Sequence, residues 1–137
     1  MTVLREVRDE ELAAVLALWR EAYGTVGTTD SLGDVLQAAS GSTSVLLVAE
    51  EEGRIVGTVI GGFDGWRGNI YRLAVHPEHH RQGIARRLVS DMEGRLSEMG
   101  ARRITALVER DHPWATGFWD AAGYGLDAGT ARYVRNF

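Results

Sequence analysis

Residues 71–89 leave the backbone few choices, and the rest of the chain is best read outward from them. Tyr71, Leu73 and Val75 alternate with Arg72 and Ala74 as in a half-buried strand, and Pro77 ends that strand because proline brings no ladder donor. Gly83 then opens a segment in which Ile84, Leu88, Met92, Leu96 and Met99 share one helical face, with Gly100 as a natural C-terminal stop. A strand, a loop and a helix succeed one another in that order.

The loop has a chemical property that its flanks lack. The first backbone N–H groups of a helix have no partner inside it and face outward at the positive end of the dipole, so they suit an anion. Gly83 and Ala85 keep bulk away from the helix start, and Arg81, Arg86 and Arg87 add positive charge, so a diphosphate can sit against the backbone. The dipole itself contributes only about 0.3–1 kcal/mol at an exposed site, which leaves the arginines and several N–H bonds to supply the rest. The same residues also suit an ordinary turn and a basic, solvated helix start.

Upstream, Val3, Arg5 and Val7 begin an alternating strand, and Asp9 is the expected N-cap of a helix with Leu12, Val15, Leu16, Trp19, Ala22 and Tyr23 inward. A loop over 24–29 leads to a short helix over 31–39 with Leu32, Val35 and Leu36 inward. Residues 44–50 read as a buried strand, 51–53 as a tight turn and 54–63 as the hairpin partner. Gly61 and Gly62 weaken the end of that partner and mark a bulge or a close backbone approach. Beyond the long helix, Arg103, Thr105 and Leu107 alternate with Ile104, Ala106 and Val108 as a further strand. A last helix is expected over 114–122, and short strands over 124–127 and 131–137. This order describes a mixed α/β sheet with a right-handed middle crossover. At 137 residues and 45% apolar, the chain is expected to form a single domain over 1–137.

Charge and cysteine content narrow the function. A net charge of −4 argues against nucleic acid or an anionic membrane as the main partner. All 15 basic residues are Arg, so the chain has no lysine. The absence of Cys removes disulfides, thiolate metal sites and thiol nucleophiles, and no metal is expected. The apolar run 13–19 is too short to cross a bilayer, and the first residues lack a leader pattern. A soluble, cytoplasmic protein is the expectation.

Residues 76–86 resemble the acetyl-CoA signature of the GNAT N-acetyltransferases. That signature reads Gln or Arg, two variable residues, Gly, one variable residue, then Gly or Ala, and it comes after a strand ending in Val-x-Pro. His80 occupies its first position here. Residues 57–65 resemble the bacterial YpeA-like branch of that family, and residues 118–124 resemble its terminal helix-to-strand motif, so the resemblance covers nearly the whole chain. It implies the GNAT fold: α/β, with a mixed, mostly antiparallel central sheet, flanking helices and a splayed central strand pair. The pantetheine arm of acetyl-CoA would enter the splay and pair with the backbone of Leu73, Ala74 and Val75. Arg81, Gln82, Gly83, Ile84, Ala85 and Arg86 would hold the diphosphate. Trp19, Tyr23 and residues 25–29 would border the acceptor.

Acetyl transfer to an amine needs a neutral nitrogen, a stabilised oxyanion and a thiolate that can leave. A lysine-like amine titrates near about 10.4 and must lose a proton, whereas an α-amino group near about 8 is already partly neutral. Asp64, Glu109 and Asp111 are the carboxylates that would serve as base, directly or through water, or else remain solvated loop charges. Tyr71 either hydrogen-bonds the acceptor or packs as an ordinary aromatic. The family's usual tyrosine acid aligns with Trp119, whose indole cannot practically donate its proton. The family's asparagine before the last helix aligns with His112, which would contact the pantetheine, act as a base or cap the helix.

The resemblance therefore implies an acetyl-CoA-dependent N-acetyltransferase that works by direct attack in a ternary complex. Its acceptor would be a primary amine of a small molecule or a peptide N-terminus. Trp119 and His112 keep open an alternative, a CoA- or acyl-CoA-binding module with little turnover. A homodimer is compatible with either reading.

Overall fold

In a computed structural model, residues 1–23, 27, 29–110 and 112–137 are described. They divide into two compact units, Met1–Leu107 and Val108–Phe137. The first contains β1 (Thr2–Glu6), α1 (Leu12–Tyr23), α2 (Leu32–Ser40), β2 (Ser44–Glu51), β3 (Arg54–Phe63), β4 (Gly68–Val75), α3 (Ile84–Met99) and β5 (Ile104–Ala106). Its sheet runs β1-β2-β3-β4-β5, antiparallel throughout except for the parallel pair β4 and β5. This is the mixed, mostly antiparallel sheet with flanking helices that the sequence implied. Among the described residues, no helix is long and apolar enough to cross a membrane.

One sheet face carries α1 and α2, where Leu12, Val15, Leu16, Trp19 and Val35 pack with Leu46, Val48 and Ala74. The other face carries α3, and Gly57 and Gly61 of β3 explain how closely it lies. A Cβ on Gly61 would stand 2.2 Å from Met92 Sδ, and one on Gly57 would stand 3.0 Å from Leu88 Cδ1. Gly61 therefore marks a close approach within a strand that continues to Phe63. Leu88, Met92 and Leu96 are fully buried, and each contributes on the order of 1.5–3 kcal/mol relative to exposure.

Several local expectations are corrected. The chain first makes a tight turn at Asp9–Glu11, and the Arg8 N–H donates to Glu11 Oε1 at 2.9 Å, so Glu11, not Asp9, organises the start of α1. Ser31 caps α2 by accepting from the Asp34 N–H at 3.1 Å. Only Val35 of the expected α2 stripe is buried, because so short a helix meets its neighbours along one line that Leu32 and Leu36 do not reach. Arg5 binds both oxygens of Glu11, at 2.8 and 2.7 Å, and Glu50 at 2.6 Å, tying β1 to β2 and to the start of α1.

The second unit contains α4 (Pro113–Ala121). Residues 124–127 and 131–137 form no strands. Asp127 instead folds a turn by accepting from the Gly129 N–H and the Thr130 hydroxyl, and Leu126, Tyr133 and Phe137 are largely exposed. β-prone residues become strands only against a ladder partner, and among the described residues of their unit none pairs with them in a ladder.

Candidate functional site

β4 changes character halfway along. From Gly68 to Ile70 it lies between β3 and β5, and the Leu107 N–H closes that parallel ladder on the Ile70 carbonyl at 3.1 Å. Past this point β3 still pairs with β4, but no described strand covers the opposite edge. The His76 N–H donates to Val56 of β3 at 2.8 Å, so by the strand's period of two Ala74 also faces β3 while Leu73 and Val75 face the uncovered edge.

A bulge separates the two halves. Arg72 has φ 53°, and the register with β3 slips between Thr58 and Ile60. Tyr71 pairs with Ile60, on the α1 side, whereas Val75 pairs with Gly57, beneath α3. Tyr71 and Val75 therefore lie on opposite faces, contrary to the simple alternation expected from the sequence, because a bulge inserts one residue and rephases the remainder of the strand.

Polar side chains converge on the bulge from the α1 side. Thr58, wholly buried, accepts from Trp19 Nε1 at 2.8 Å and donates to the Arg72 carbonyl at 3.0 Å. The Tyr23 hydroxyl donates to the Leu73 carbonyl. The Arg72 guanidinium lies 5.1 Å from the Trp19 ring centroid and 5.2 Å from that of Tyr23. It meets Asp30 Oδ2 at 2.5 Å, and the same oxygen accepts from the Gly27 N–H at 2.6 Å. Asp30 is 8% exposed. Sequence reasoning singled out Trp19 and Tyr23 but missed Thr58, Asp30 and the role of Arg72. The available signals were a threonine inside an apolar strand and an arginine inside the next.

The β4–α3 connection forms the second half of the site. His76 Nδ1 accepts from the Glu78 N–H at 3.2 Å, which leaves its Nε2–H for Glu21 Oε2 at 2.6 Å. His80 Nε2 lies 3.0 Å from the Val75 carbonyl and donates to it, so this side chain closes the end of β4. Arg81 at φ 66° and Gly83 at φ 78° then turn the chain into α3, whose ladder begins with the Arg87 N–H on Gly83 O at 3.1 Å. The N–H groups of Ile84 and Ala85 precede that first bond and point out of the helix start. A Cβ on Gly83 would meet nothing within 4 Å, so the space before the helix is open. Arg81, Gln82 and Arg86 are exposed around it, whereas Arg87 reaches the Thr2 carbonyl at 3.2 Å.

Asp64 sits at the β3–β4 turn, at the other end of β4 from this loop. Its carboxylate accepts from the backbone N–H groups of Arg67 at 2.8 Å and Trp66 at 2.9 Å, which hold its pKa below the usual carboxylate value. Glu109, His112 and Trp119 belong to the second unit. There His112 Nδ1 accepts from the Ala115 N–H at 3.4 Å and caps α4. Trp119 lies edge-on to Phe118 at 5.3 Å and to Tyr124 at 4.8 Å. Asp111, Thr25, Val26 and Thr28 lie outside the described residues.

The sequence matches the model of the Acetyltransferase (GNAT) family over residues 12–124. The fold is similar to that of a PaiA N-acetyltransferase from Thermoplasma acidophilum in complex with coenzyme A, with a TM-score of 0.83 and 16% identity over 93% of this chain and 91% of that one. It is also similar to an aminoglycoside 6′-N-acetyltransferase from Acinetobacter baumannii, with a TM-score of 0.81 and 16% identity over 100% and 99% of the two chains. A glucosamine-6-phosphate N-acetyltransferase from Arabidopsis thaliana gives a TM-score of 0.76 and 16% identity over 100% and 99%.

Proposed function

The chain belongs to the GNAT acetyltransferase family, and from that premise we propose that it transfers the acetyl group of acetyl-CoA to a primary amine of a small molecule or of a peptide N-terminus. The observation that carries this reading is the adjacency of two backbone features: a β4 edge at Leu73 and Val75 that no described strand covers, and an open, glycine-led helix start at Gly83. An extended amide chain could add to the first by strand-like hydrogen bonding, and an anion suits the second. Acetyl-CoA presents both, a pantetheine arm and a diphosphate. Residues 73–75 and 81–86 hold them in this reading. We place the chain in the bacterial YpeA-like branch on the strength of residues 57–65, as one cytoplasmic domain over 1–137.

The amine attacks the thioester carbonyl directly, forming the C–N bond. As the C–S bond breaks, the electron pair leaves with sulfur, and the amine proton passes to a carboxylate or to water. Tyr71 orients the acceptor from the α1 face, and water or a carboxylate such as Asp64 takes the proton, although the Asp64 carboxylate already holds a turn. Trp119 supplies no proton, but a thiol with a pKa near about 8.5 departs acceptably as thiolate at neutral pH.

Calorimetric titration with acetyl-CoA, combined with thiol release across an amine library, tests the proposal. Binding with thiol release for at least one amine is expected. Gly83→Glu should abolish most of the binding, because it forces φ 78° on a residue with a side chain and puts negative charge before the helix. Unchanged affinity in that variant would overturn the site. Binding without turnover for any amine would favour a CoA-binding module.

A further inference from the structure

We infer that Arg72 and Asp30 form a positioning clamp that sets the aim of the uncovered β4 edge, an inference that rests on the proposed use of that edge by acetyl-CoA. Arg72 is the bulge residue itself, and a non-glycine residue at φ 53° is held there only when its surroundings insist. Three contacts do so. Its carbonyl accepts from buried Thr58, its guanidinium pairs with Asp30, and its charge lies near the rings of Trp19 and Tyr23. The next residue is Leu73, whose backbone faces the uncovered edge and whose carbonyl accepts from Tyr23.

The other end of the clamp is equally constrained. Asp30 immediately precedes Ser31, the cap of α2, and its Oδ2 takes the Gly27 N–H as well as Arg72. The pair therefore joins the approach to α2 to the one point in β4 where the strand changes phase. Its side chains are 26% and 6% exposed, so solvent screens it less than a surface pair. Relaxing the clamp would let the backbone at 72–73 leave its left-handed turn, shifting the N–H and carbonyl of Leu73. The helix start at Gly83 would stay in place.

This predicts a division within one ligand. In Asp30→Ala and in Arg72→Asn, whose asparagine tolerates φ above zero, acetyl-CoA affinity should fall about tenfold or more, since small misplacements are costly. Affinity for 3′-phospho-ADP, which keeps the diphosphate but lacks the pantetheine arm, should stay within about twofold. The double variant should be no worse than either single one, because both break the same link.

Equal losses for the two ligands, or no loss for either in a folded variant, would overturn the clamp. So would additive effects in the double variant. Arg72→Asn strands a buried carboxylate and is the variant most exposed to misfolding; Asp30→Ala leaves a partly solvated arginine and the Gly27 N–H, and keeps the test decisive. Wild-type protein that binds neither ligand would instead sink the acetyl-CoA reading itself.

Discussion

Glu11 shows what one residue contributes, and its contribution can be titrated. The Arg5 guanidinium and the Arg8 N–H hold its pKa down to about 2, from an ordinary value of 4.5. A carboxyl with a depressed folded pKa stabilises the fold above its unfolded value, and that contribution is lost as pH falls from 4.5 towards about 2. Glu11→Gln should lower stability by about 1 kcal/mol at neutral pH, in keeping with a partly exposed pair, and flatten the pH dependence of denaturant melts in the acid range. An unaltered acid slope would show that Arg5 carries no net benefit there. Trp119 gives the second residue-scale prediction. Trp119→Tyr restores the hydroxyl usual in the family but changes volume and polar direction, so turnover should move by no more than about tenfold, roughly 1.4 kcal/mol in the barrier. A much larger gain would show that a missing acid limits the natural protein. Glu11 was legible in the sequence only as a residue type, and Trp119 only through its alignment with the family's tyrosine. The grip of Arg5 on Glu11 needed β1 and the turn after it to be brought together, and no periodicity encodes that.

Elements were legible where pattern and length agreed. The apolar stripe of α3 ran long enough to announce its face, and Leu88, Met92 and Leu96 are indeed buried. The α2 stripe was too short to say which leucines its neighbours would cover, and two of the three expected inward residues lie outside. The bulge at Arg72 was illegible because strand alternation reads the same with or without an inserted residue until a partner strand exposes the slip. Strands expected near the end of the chain failed for a related reason, since propensity names candidates but only a ladder makes them strands. The packing of α3 on β3 offers a direct check. Gly61→Ala places a methyl against Met92, which is fully buried, and should cost about 1–3 kcal/mol in urea melts. Met92→Val should recover part of that loss in the double variant. Full additivity would show that the helix moves away freely.

At the scale of the molecule, a net charge of −4 coexists with exposed arginines at one helix start. Acetyl-CoA affinity should therefore weaken as salt is added, through screening of Arg81 and Arg86. A dissociation constant that stays level from low to high ionic strength would remove those side chains from recognition and leave the backbone alone. Activity should rise with pH as the acceptor amine deprotonates, and a flat profile would point to an acceptor already neutral. The parting of β4 from β5 has a further consequence, for handling the protein rather than for its chemistry. A strand edge that no described strand covers can recruit another strand, so preparations lacking acetyl-CoA should cloud and self-associate sooner on warming. Ligand present at a hundred times its dissociation constant would add about 2.7 kcal/mol to the folded state while capping that edge. Thermal shelf life would then report whether the edge is filled before any turnover is measured.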